Sequence, residues 1–130
     1  MKKGFLLICL VFSLCCCVQK REFISYKPAR FERLIQKEAT IQLIDVRRLD
    51  EYAAGHIDRA VLINVQDSGF VAKADSLLDK SQPVAVYCKG GKRSKEAAGK
   101  LTKEGYKVYE LDNGYSGWLE YEKIKDNNSK

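Results

Sequence analysis

Apolar positions in this chain fall into short runs, and the runs alternate between two periodicities. Ile41-Gln42-Leu43-Ile44-Asp45-Val46, Ala60-Val61-Leu62-Ile63-Asn64-Val65, Pro83-Val84-Ala85-Val86-Tyr87 and Lys107-Val108-Tyr109-Glu110-Leu111 are brief, rich in β-branched residues and mostly apolar, as buried strands are. Between them apolar residues recur at three- and four-residue spacing. Phe31, Leu34 and Ile35 follow Pro28, which suits a first helical turn, and predict a helix to about Glu38. Leu49 to Ala54 predicts a short helix ended by Gly55. Phe70, Val71, Ala74, Leu77 and Leu78 predict another, capped by Asp67 or Ser68. A fourth runs from Lys95 to Lys103, preceded by Ser94 and stopped at Gly105, and a last one from Tyr115 to Tyr121 follows an Asn113-Gly114 turn. Strands alternating with helices at this spacing predict the α/β class: a small parallel β-sheet flanked by helices on both faces.

The first 17 residues stand outside that alternation. Met1-Lys2-Lys3 is positive and Gly4 to Leu14 is almost wholly apolar, shorter than the ~20 residues that span a bilayer, so the stretch reads as the apolar region of a signal peptide. It closes on Leu14-Cys15-Cys16-Cys17, which resembles the lipobox of bacterial lipoproteins. That resemblance implies lipidation at Cys17, with Cys15 and Cys16 as alternative sites, and an exported, membrane-anchored lipoprotein facing the periplasm or the cell exterior. A cleaved secretory peptide or an uncleaved anchor is the other reading. The expected organisation is a signal peptide over 1–17, a tether over 18–26, one globular domain over 27–122 and a frayed polar tail over 123–130.

Composition narrows the function classes. With 45% hydrophobic and 31% charged residues the chain has the makeup of a folded domain rather than a disordered one. The formal net charge is +6, or +4 once Lys2 and Lys3 are set aside, a surplus suited to small anions but too mixed with Asp and Glu to indicate nucleic acid. Cys9, Cys15, Cys16 and Cys17 crowd the first segment, Cys88 stands alone after it, and His56 is the only histidine. The domain therefore lacks the ligands of a usual zinc site and a partner for an internal disulfide, so neither a metal nor a cofactor is expected.

Cys88 is where chemistry is expected. It follows a buried strand and opens Cys88-Lys89-Gly90-Gly91-Lys92-Arg93-Ser94 ahead of a helix, the place where open α/β sheets bind ligands. Gly90 and Gly91 can take left-handed or crowded conformations that bring backbone close to a ligand, and such a loop can turn successive amides inward as an anion-binding nest. The helix N-terminus adds its positive end, and Lys89, Lys92 and Arg93 add charge. A thiol at that focus loses its proton more readily than a free one, and the thiolate is the nucleophile. A buried structural cysteine would require neither the glycines nor the cations.

Three segments resemble the rhodanese homology family. These are Leu43 to Arg47 with Glu51-Tyr52 and Gly55-His56-Ile57, then Val86 to Ser94, then Gly105 to Leu111 with Gly114-Tyr115 and Trp118. The likeness spans nearly all of residues 28 to 121. It implies a sulfurtransferase in which Cys88 carries a persulfide and the amides of Lys89, Gly90, Gly91, Lys92, Arg93 and Ser94 line the pocket. Asp45 and Arg47 are expected to support the site by fixing neighbouring loops, and His56 and Trp118 to be structural. The family usually has Gly-Gly where this chain has Asn113-Gly114; asparagine tolerates positive φ, so the turn is expected to survive. The implied substrates are a small anionic sulfur donor such as thiosulfate and a thiol or cyanide acceptor, with a protein acceptor as a further possibility.

Two rivals remain on the same residues. One is a persulfide carrier, or a redox or docking module, without turnover. The other is a cysteine-dependent phosphatase or arsenate reductase, whose loops resemble Cys, five residues, Arg; here only four residues separate Cys88 from Arg93, a tighter cradle.

Overall fold

A computed structural model describes residues 22–130. The expected signal peptide, Cys17 with its alternatives Cys15 and Cys16, and tether residues 18–21 lie outside the described residues. Ten elements follow in order: β1 (Ile24–Tyr26), α1 (Pro28–Lys37), β2 (Gln42–Asp45), α2 (Leu49–Ala54), β3 (Val61–Leu62), α3 (Phe70–Leu77), β4 (Val84–Tyr87), α4 (Lys92–Lys103), β5 (Val108–Leu111) and α5 (Gly114–Asn128). The strands form one sheet in the order β1-β5-β4-β2-β3, and every pairing is parallel.

Period-two alternation divides the core. Val84, Val86 and Cys88 point to one face, where Ile44, Val46, Phe70 and Ala74 of α3, and Ala97, Ala98 and Leu101 of α4 join them. Ala85 and Tyr87 point to the other, against Phe31 and Ile35 of α1 and Trp118 of α5. Phe31 and Trp118 meet edge to face, 6.3 Å between centroids. β4 is buried along its whole length, as the middle strand of a doubly covered sheet must be. Its C-terminal end delivers Cys88.

Several boundaries differ from expectation. Residues 24–26, expected in the tether, form the edge strand β1, in register with Tyr109, Glu110 and Leu111 of β5. Ladder pairing and the contact of Tyr26 with Tyr109, 5.3 Å apart, hold this strand without a buried side-chain pattern. The tail over 123–130, expected to fray, is helical through Asn128, because Tyr121 and Lys125 both reach Glu32 of α1. α4 begins at Lys92 rather than Lys95, since Gly91 caps it at φ +108°. Gly69, not Asp67 or Ser68, occupies the cap position of α3. Asn113 sits at φ +63°, and the turn into α5 survives as expected. Among the described residues no helix is long and apolar enough to cross a membrane.

Candidate active site

Cys88 lies one residue beyond β4, 1% exposed, at the floor of a cleft of about 690 Å³. Lys89, Gly90, Lys92 and Arg93 line this cleft, joined by Gln66, Glu96 and Ser116. The loop is held open from behind. Tyr115 N–H donates to the Cys88 carbonyl at 2.7 Å and Ser116 N–H to the Lys89 carbonyl at 3.0 Å, so the first turn of α5 draws both carbonyls away from the cleft. Gly114 permits that approach at φ +56°; a Cβ there would stand 2.5 Å from the Cys88 carbonyl oxygen.

With its carbonyls turned back, the loop points donors at sulfur. Gly91 N–H donates to Cys88 Sγ at 3.0 Å, and Ser94 Oγ lies 3.4 Å away. α4 starts at Lys92 and adds the positive end of its dipole. Burial pushes the thiol up, but the hydroxyl of Ser94 and the amides of Ser94, Gly91 and Gly90 outweigh it and hold Cys88 below its ordinary value. Such a sulfur is poised as a thiolate nucleophile, and the same donors suit a negatively charged sulfur attached to it.

The remaining expected residues divide between cleft and framework. Lys89 and Lys92 are exposed at the cleft, where their charges attract an anion. Arg93 lines the cleft but its guanidinium is engaged, donating to both oxygens of Glu51 at 2.7 and 2.9 Å. That fork ties α4 to α2 and holds the Glu51 carboxyl down at about 2. Asp45 and Arg47 are both buried. The Arg47 guanidinium donates to Asp45 at 2.7–3.0 Å and to the Gly55 carbonyl at 2.6 Å, and lies 4.4 Å from the Tyr115 ring. These contacts fix the end of β2, the C-terminus of α2 and the start of α5 around the loop. His56 stacks on Tyr52 with 3.7 Å between centroids, its Nδ1 2.8 Å from the Tyr52 carbonyl, and lines a different pocket with Trp118.

Sequence reasoning missed Glu110. It is fully buried on the α4 face of β5, with Ser94 and Lys95 at Oε1 (2.8 and 3.1 Å) and Ser25 at Oε2 (2.6 Å). A lone carboxylate in an otherwise apolar strand was the available signal.

The family model described as "Rhodanese-like domain" matches residues 27–121. The chain is 33% identical to the thiosulfate sulfurtransferase GlpE of Shewanella oneidensis, over 74% of this chain and 95% of that protein. It is 37% identical to the thiosulfate sulfurtransferase GlpE of Pseudomonas fluorescens, over 75% and 85%. A rhodanese-related protein from Thermoplasma volcanium superposes with a TM-score of 0.66 at 24% identity, covering 76% of this chain and 93% of that one, a likeness of fold.

Proposed function

Because the chain belongs to the rhodanese-like sulfurtransferase family, we propose that Cys88 takes sulfane sulfur from a small anionic donor of the thiosulfate type and passes it to a thiophilic acceptor. The observation that carries this reading is the Cys88 sulfur at the end of β4, receiving the Gly91 amide under a cleft lined by Lys89 and Lys92. Cys88 thiolate attacks the outer sulfur of thiosulfate; the S–S bond breaks, and sulfite departs with its electron pair. The new terminal sulfur carries the charge, which the loop amides stabilise and the cationic rim balances. An acceptor nucleophile then attacks that sulfur, and the Cys88 thiolate leaves. Cyanide becomes thiocyanate; a thiol becomes a persulfide.

Two sequential half-reactions on one cysteine require ping-pong kinetics. Steady-state assays with thiosulfate and cyanide on the full-length chain should give parallel double-reciprocal lines. Intersecting lines would contradict the covalent route. Persulfide formation without transfer to cyanide or any small thiol would instead assign the site to sulfur carriage for a protein partner.

We also propose that the domain is exported and held at a membrane by a lipid on Cys17, on the strength of the lipobox-like Leu14-Cys15-Cys16-Cys17. Acyl-chain labelling should vanish in Cys17→Ala; label that persists places the lipid on Cys15 or Cys16.

A further inference from the structure

Glu110 is a carboxylate of zero exposure placed directly behind the site. Its three partners come from two other elements: Ser25 from β1, and Ser94 and Lys95 from α4. Of these, Ser94 also touches the nucleophile. The Ser94 hydroxyl has one hydrogen and three neighbours able to accept it: the Glu110 carboxylate at 2.8 Å, the Gly91 carbonyl at 3.0 Å and the Cys88 sulfur at 3.4 Å. Only one is served at a time. We propose that Glu110 is a positioning residue that competes with Cys88 for the Ser94 hydroxyl hydrogen and thereby sets how readily the sulfur ionises.

The competition follows from charge and distance. Glu110 is the nearest of the three and anionic, so it takes the hydrogen while Cys88 is a neutral thiol. Ser94 Oγ then offers the sulfur only lone pairs, accepts from its S–H, and favours the protonated form. Once the sulfur is negative the hydroxyl turns to it. Glu110 is not abandoned by that turn, because Lys95 Nζ at 3.1 Å and Ser25 Oγ at 2.6 Å still donate to it. The buried carboxylate therefore keeps partners in both states, and the loop's donor set changes with the charge on sulfur.

Other charges act alongside. Lys95 also faces Asp112, which approaches Lys27 at 3.9 Å, on the Glu110 side. Lys89, Lys92, Arg93 and Glu96 surround the cleft above Cys88, and the Asp45–Arg47 pair and Glu51 stand on the α2 side. None of them shares a hydroxyl with the sulfur. A Glu110 that acted on Cys88 by its charge alone would shift the ionisation of the sulfur equally with or without the Ser94 hydroxyl.

The proposal rests on Cys88 as the reactive thiol but not on sulfur transfer, so the test reads alkylation. The rate of iodoacetamide modification of Cys88 is followed against pH in the full-length chain, resolved on the Cys88 peptide by mass spectrometry. Glu110→Gln, Ser94→Ala and the double variant are compared with the parent. The midpoint of Glu110→Gln should move to lower pH by about one unit, roughly a tenfold gain in thiolate well below both midpoints. In the Ser94→Ala background the same change should have less than half that effect. A midpoint unmoved or raised by Glu110→Gln overturns the proposal, as does an undiminished effect without Ser94, which would be charge acting through space. If Glu110→Gln fails to fold, the exposed Ser25→Ala replaces it. Loss of the Oε2 donor tightens the hold of Glu110 on Ser94, and the midpoint should rise; one that stays or falls overturns the proposal.

Discussion

Burial and hydrogen bonding pull the Cys88 thiol in opposite directions, and the donors of Gly90, Gly91 and Ser94 prevail. The pH dependence follows. Alkylation of Cys88 should rise with pH through a midpoint below that of a free cysteine. A thiol held lower in the folded state than in the unfolded one adds stability above the unfolded value, and that stability is lost as pH falls through the folded one. Cys88→Ser should therefore reduce the gain in stability on passing from neutral to alkaline pH, which urea titrations at the two pH values would register. Cys88 was legible in the sequence because everything that marks it is adjacent: a buried strand before it, two glycines and a helix after it. Glu110 was not, because its partners Ser94, Lys95 and Ser25 lie 16, 15 and 85 residues away, and only the parallel register of β1 on β5 and the start of α4 bring them together.

Among the elements, the short join between β5 and α5 governs the loop most directly. The α5 N-terminus holds the carbonyls of Cys88 and Lys89, and Gly114 makes room for it at a left-handed φ. Gly114→Ala should cost about 2 kcal/mol or more in urea unfolding, and should slow Cys88 alkylation by disturbing the loop's amides. The Arg93–Glu51 fork makes a second claim at this scale. With Glu51 held at about 2, its contribution to stability is complete above the ordinary 4.5 and fades as pH falls toward 2. Glu51→Gln should flatten that acid limb in a pH series of thermal midpoints. Element type was readable where burial demands a continuous apolar run, as in β2 and β4, or a helical period, as in α1. It was not where tertiary contacts alone decide. β1 is three largely exposed residues fixed by ladder bonds and the Ser25–Glu110 hydrogen bond, and the last turns of α5 are exposed on every side, pinned by Glu32. Ser94 marked the start of α4 in the sequence, yet a left-handed Gly91 moves that start back to Lys92 and frees the serine hydroxyl for Cys88 and Glu110.

At the scale of the whole molecule, two cores clamp one parallel sheet, and the reactive loop stands where both reach the same strand end. Cys88 belongs to the α3/α4 core, while the α5 segment that holds the loop's carbonyls is seated by Trp118 in the other. Trp118→Ala should cost about 3–5 kcal/mol in urea unfolding and should slow Cys88 alkylation as well, since the Tyr115 and Ser116 donors lie on the same helix. The central claim concerns sulfur on Cys88. Peptide-resolved mass spectrometry of the full-length chain after thiosulfate treatment, beside Cys88→Ser, tests it most directly. The expected result is a gain of one sulfur on the peptide carrying Cys88 and none on the corresponding peptide of the variant. An equal gain in the variant, or none on the Cys88 peptide of the parent, would contradict it.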